Sequence, residues 1–284
     1  METLTRKQKI FDFPVTKIIF ALIAFMAFVI IGQQIAGKLL GLTALDKDLR
    51  NLFKGIIVSA LAIISYIIFF KYYEKRAVTE LCIKGLAKNL IIGTLIGFVL
   101  QALTILVIYL NGGFNIIAVN PVLYIIIPLT VAFTIAIIEE ILVRGIIFRI
   151  IEEKLGSYIS LTISAVIFGA LHLINPNSTL LSGLCITFAG FLLGAAFIYS
   201  RNLWFPIAIH FAWNFVQSGI FGAAVSGNAA RKSLITSEIS GNILITGGNF
   251  GPEGSLQATL FCLIATIMLL ILCIRKKNIL RLSK

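Results

Sequence analysis

Charge is scarce in this sequence. Of its 284 residues, 13% are Asp, Glu, Lys or Arg and 59% are hydrophobic, with a mean hydropathy of +1.02. A soluble domain carries about 25% charged residues. A water-soluble globule is therefore excluded, and the chain reads as a polytopic membrane protein. Histidine is scarcer still, with only His172 and His210, and no His-Glu-x-x-His helix of the zinc-peptidase kind is present. Cys82, Cys185, Cys262 and Cys273 lack metal-type spacing. Three of them lie in apolar runs, where a thiol packs as a small hydrophobe, so the cysteines supply no disulfide or metal framework. There is no internal repeat, which counts against an inverted-repeat transporter. Nor is there a basic stripe. The net charge of +12 is scattered between apolar runs, so nucleic acid is not a partner, and the basic residues report topology instead.

What the sequence has in quantity is apolar runs of spanning length. They fall at 18–36, 55–70, 90–110, 123–151, 158–174, 179–199, 204–224 and 256–274. The expected fold class is all-α, with about eight transmembrane helices. The organisation is a basic arm over 1–17, three spans with polar loops over 18–120, a core of four spans over 121–224, and a polar loop, last span and basic tail over 225–284. The first run is too long for a signal-peptide h-region and reads as an anchor. Run 179–199 carries Gly183, Thr187, Gly190 and Gly194, a small-residue face that admits a close neighbour. With the N-terminus placed in the cytoplasm, 18 of the 24 Lys and Arg fall on the inner side. That ratio predicts a plasma-membrane protein with both termini cytoplasmic. The loop after the first run is the exception, since Lys38, Lys47, Arg50 and Lys54 make it too basic for an outer loop.

Against this background residues 137–144, Ile-Ile-Glu-Glu-Ile-Leu-Val-Arg, stand out. An ionised carboxylate is costly to take out of water, and a spanning segment rarely carries one without a task for it. Only Glu139 and Glu140, of twelve carboxylates, lie deep in an apolar run. Both histidines lie in others. From helical rise, Glu139, His172 and the pair His210 and Asn214 sit roughly 18, 21 and 10–16 Å from the inner ends of their segments, one layer near mid-membrane. Glu140 and Arg144 are i, i+4 with the acid first, the favourable order for an ion pair. Glu139 points about 100° away and has no partner in its own helix. A desolvated carboxylate of this kind suits a general base. His210 and Asn214 are also i, i+4, two donors on one face of the sort that holds a developing oxyanion. Phe168 shares a face with His172 and orients the imidazole by packing. The site is therefore placed between the fourth, fifth and seventh segments. Each residue taken alone has a plainer reading, as an interhelical hydrogen bond, a structural ion pair or ordinary packing.

In this order, Glu139-Glu140-x-x-x-Arg144, Phe168-x-x-x-His172 and His210-x-x-x-Asn214 resemble the CPBP family, the CAAX-protease and bacteriocin-processing (Abi-like) group. The loop Gly247-Gly248-Asn249-Phe250-Gly251-Pro252-Glu253-Gly254 is similar to one after the third motif in many bacterial members. The resemblance implies an intramembrane endopeptidase acting on a membrane protein or peptide. In it Glu139 with His172 activates a water, Glu140 and Arg144 support the first motif, and His210 with Asn214 stabilises the oxyanion. The family is often labelled metalloprotease, so Glu139, His172 and His210 are candidate ligands for Zn²⁺, and a metal-free Glu/His pair fits equally. Peptide maturation, bacteriocin self-immunity and protein sorting are all open as roles. A proton-coupled transporter and a catalytically silent scaffold are the rival readings.

Overall fold

A computed structural model describes residues 13–282; residues 1–12 of the basic arm and the last two of the tail lie outside it. The architecture is mostly helical, at 74%. Helix α1 is Pro14–Gly41, with its proline in the first turn, where the missing N–H costs nothing. Helix α2, Lys47–Tyr72, is capped by Asp46, whose carboxylate accepts from the Asp48 and Leu49 amides at 2.8 and 3.0 Å. Helix α3 is Leu86–Leu110. Helix α4, Ile126–Glu140, runs on through a π-helical stretch, Ile141–Phe148, into α5, Arg149–His172. Helix α6, Leu180–Ser200, starts from a capping box of Thr179 and Ser182. Helix α7 is Trp204–Asn214 with a π-helical extension Phe215–Ile220, and α8 is Leu256–Arg275. The main pairings are α1 with α2, α2 with α4, α3 with α7, and α6 with both α5 and α8.

Among the described residues six helices are long and apolar enough to cross a membrane: α1, α2, α3, the run Val122–His172, α6 and α8. The sequence expectation of about eight is not met by this measure, for two physical reasons. The fourth and fifth runs join into one helical stretch of 51 residues, broken only at Gly156. There φ is 75° and ψ 172°, a conformation open to glycine and strained for other residues. The break is a reversal. An unbroken helix would hold Glu139 and His172 about 50 Å apart at 1.5 Å per residue, yet His172 Nε2 lies 4.0 Å from a Glu139 carboxylate oxygen. Gly156 is midway between them. The seventh run is shorter than it reads. Its α-helix, Trp204–Asn214, has 11 residues, nine of them buried from Phe205 onward. Apolarity alone does not tell a lipid-facing run from one enclosed by protein.

The all-α fold stands, and at one end of the bundle it carries one small two-stranded sheet. Links read as loops supply two antiparallel strands, β1 (Phe114–Val119) and β2 (Ile235–Ile239), with Phe114 opposite Ile239 and Val119 opposite Ile235. The rest of 225–255 is no free loop. Gly227 N–H donates to the Phe250 carbonyl at 2.8 Å, and Asn177 Nδ2 to the Gly227 carbonyl at 3.0 Å. At the other end, Arg149 and Arg76 both reach Glu74, at 2.9 and 2.8 Å, and the Ser157 amide bonds the Leu280 carbonyl at 2.9 Å. The ends of the bundle are thus tied by polar contacts, and the site lies between them.

Candidate active site

Glu139 and Glu140 close α4, and the π-helical stretch begins at the next residue. Such stretches recur at functional sites because they re-aim side chains within a helix. The two carboxylates diverge as the sequence predicts. Glu140, fully buried, accepts from Arg144 at 2.8 Å and from His210 Nδ1 at 2.9 Å. Arg144, also fully buried, donates to the Gly190 carbonyl at 3.0 Å and stacks on Phe168, guanidinium carbon 4.6 Å from the ring centre. A Cβ on Gly190 would meet the Ala165 backbone at 2.9 Å. The absent side chain lets α6 approach α5 closely enough for its carbonyl to serve Arg144.

Glu139 behaves differently. Its side chain keeps 31% of its exposure, and its Oε2 is buried without a hydrogen-bond partner among the described residues. His172 Nε2 faces that oxygen at 4.0 Å and His210 Nε2 at 3.9 Å. Both distances exceed a hydrogen bond and fall within reach of one water bonded to both atoms. Each ring is held from behind. His172 Nδ1 lies 2.8 Å from the Phe168 carbonyl and His210 Nδ1 2.9 Å from Glu140. A carbonyl only accepts, so His172 Nδ1 carries a proton and its Nε2 points at the site. Phe168 orients His172 through that carbonyl as well as through its ring, 4.6 Å away. Sequence reasoning found the packing and missed the bond.

The structure brings Glu139, Glu140, Arg144, His172 and His210 together. Asn214 joins them on the wall of a cavity of about 720 Å³ that also takes in Glu139, His172 and His210. The sequence candidates for metal ligation, Glu139, His172 and His210, converge on this cavity. Tetrahedral oxygen and nitrogen ligands at about 2.0–2.1 Å from zinc lie about 3.3 Å from one another, closer than the 3.9 and 4.0 Å found. Among the described residues no group of three or more His, Cys, Asp or Glu is arranged to hold a metal ion. As arranged, the three donors stand wider apart than the ligands of a bound zinc.

Two residues escaped the sequence reading. Glu253, in the glycine-rich turn before α8, is buried at 5% exposure and accepts from the Ser226 amide and hydroxyl at 2.5 and 2.9 Å. Both line a small pocket behind His172, Asn214 and Trp213. Burial pushes the Glu253 carboxyl up, against the opposing pull of its Ser226 bonds and of His172. The only sequence signal was the run of glycines that folds this turn back over the site.

The fold and the site define a multi-pass membrane protein with an acid–histidine centre enclosed by helices. Residues 121–216, about a third of the chain, match the family model for type II CAAX prenyl endopeptidase, Rce1-like. The match spans all three sequence motifs. No curated protein and no solved structure matches the chain.

Proposed function

We propose that this protein is an intramembrane endopeptidase that hydrolyses a peptide bond of a membrane-associated substrate with a water activated by Glu139. The observation that carries the reading is the convergence of two tethered imidazoles, through Nε2, on one unpartnered carboxylate oxygen. A water held between Glu139 Oε2 and His172 Nε2 gives its proton to the carboxylate as its oxygen adds to the scissile carbonyl. The oxyanion that forms faces His210 and Asn214. With Nδ1–H committed to Glu140, His210 donates from Nε2 when a second proton sits there, and Glu140 balances the charge. As the tetrahedral species collapses, the C–N bond breaks and the proton on Glu139 passes to the leaving amine. Glu140 and Arg144 fix the geometry and do not touch substrate. The basic-residue asymmetry supports a plasma-membrane setting with both termini cytoplasmic, and the reversal at Gly156 supports counting α4 and α5 as separate crossings.

The test is cleavage of a membrane-tethered peptide library by purified wild-type protein and by Glu139→Ala, His172→Ala and His210→Ala variants. Wild-type cleavage that each substitution abolishes is the expected outcome. No wild-type cleavage, together with proton-coupled uptake in liposomes, would replace the peptidase with a transporter. Metal content measured with and without chelator decides the zinc question separately.

A further inference from the structure

The excess of basic residues in the loop after the first apolar run has no place in a topology argument, and the cavity gives it one. On the side of the bundle away from Gly156, the cavity wall includes Lys54 of α2 and Arg231 and Lys232 of the segment before β2. Lys232 is answered by Asp48 at 2.6 Å. Lys54 is half-buried, and neither it nor Arg231 has an ion-pair partner among the described residues. Asp48 and, beside it, Asp46 act on Lys232, which leaves Lys54 and Arg231 as the cations of this wall without an ion-pair partner among the described residues, with Gln33 and Asn51 beside them. The floor of the same cavity is Glu139, His172 and His210.

The distance from rim to floor can be read along α4. Gly55, next to Lys54, packs on Thr130 and Thr134, and the Thr134 hydroxyl donates to the Gly55 carbonyl at 3.2 Å. Thr130 and Thr134 precede Glu139 by roughly 14 and 8 Å respectively at 1.5 Å of rise per residue. An extended peptide covers that span in about two to four residues. Between rim and floor the wall sets Val58, Val131, Ile135 and Ile138 beside the two threonines.

Resting on the peptidase reading, we propose that the substrate carries an acidic segment two to four residues from the scissile bond, and that Lys54 and Arg231 bind its side-chain carboxylates. A peptide is favoured over a lipid headgroup because the cations share one cavity with the reacting groups. Acidic side chains are favoured over a single chain terminus because two cations stand unanswered and Arg231 is exposed at the mouth, where the chain has room to continue.

The test uses the full-length protein in zwitterionic lipid vesicles. The substrates are tethered, C-terminally amidated peptides with Asp or Asn at two to four residues from the cleaved bond. Asp peptides should be cleaved about tenfold more efficiently, chiefly through KM, and added salt should narrow the gap. Lys54→Gln and Arg231→Gln should each remove most of the preference, read as the ratio of kcat/KM for Asp and Asn peptides on the same preparation. Lys54→Glu should favour peptides with Lys at the same positions. Equal cleavage of Asp and Asn peptides overturns the proposal. So does a preference that survives Lys54→Gln, one that appears only with a free C-terminus, or one that anionic vesicles abolish by occupying the rim. Binding of a fluorescent Asp peptide to Glu139→Gln protein separates the two readings. Lys54-dependent binding without any wild-type cleavage sinks the peptidase and keeps the acidic-segment site. Cleavage of neutral peptides without that binding does the reverse.

Discussion

Adjacent carboxylates one residue apart should respond oppositely to the same substitution. Glu140→Gln takes the charge from a fully buried carboxylate that holds Arg144 at 2.8 Å and His210 at 2.9 Å. Arg144 would remain fully buried with the Gly190 carbonyl as its remaining strong acceptor. Removing one partner of a buried ion pair costs about 3–5 kcal/mol. Glutamine still offers one oxygen, so about 3 kcal/mol is expected, roughly a hundredfold shift in the folding equilibrium. Glu139→Gln touches a side chain that is 31% exposed and whose nearest imidazole nitrogens are 3.9 and 4.0 Å away. Stability should change by no more than about 0.5 kcal/mol, while hydrolysis falls by about 10²–10⁴-fold. The assay is reversible unfolding of the purified protein in micelles, with kcat/KM measured on the same preparations. A third arm, Glu140→Gln with Arg144→Met, should lose less stability than the two single losses added together, because the pair is one unit. Equal destabilisation by Glu139→Gln and Glu140→Gln would refute the division of labour. Full hydrolysis by Glu139→Gln would refute the assignment of the base.

Three further outcomes follow from the geometry. Gly190→Ala drives a Cβ to 2.9 Å from the Ala165 backbone. It should cost about 1–3 kcal/mol and lower kcat by displacing the carbonyl that holds Arg144, measured by unfolding and turnover together. Glu80, outside the spans, is buried, and burial alone would raise its carboxyl; hydrogen bonds from Arg76 and Tyr66 overcome this and hold it below the usual range. Its contribution to stability should be complete above the unfolded value of about 4.3 and lost as pH falls through the lower folded value; Glu80→Gln should flatten that acid limb in unfolding scans. Glu253 is shifted the other way by burial, so folding is penalised as pH rises from about 4.3 through its folded value. Glu253→Gln should therefore stabilise the protein at neutral pH, and a thermal scan should show the gap closing below about pH 4.

The candidate site was legible because apolar segments make any polar residue conspicuous. Two glutamates, two histidines and an arginine inside runs of Ile, Leu and Phe are costly placements, and i, i+4 spacing sorted Glu140 with Arg144 and left Glu139 free. Those relations are local to one helix, and helical rise and turn fix them whatever the rest of the chain does. The tertiary fold decided what comes from contacts distant in sequence. That His210 leans on Glu140 and that the Gly190 carbonyl receives Arg144 depend on how three helices cross, and no spacing encodes a crossing. Gly156 looked like the end of a span, and only the structure shows it folding α5 back until His172 meets Glu139. The run at 204–224 read as a full-length span, because hydropathy measures what a residue avoids and not whether protein or lipid surrounds it. Glu253 was named only as part of the glycine-rich loop and not as a site residue, for the converse reason. In a polar loop a carboxylate attracts no notice, until a turn of glycines buries it against the site.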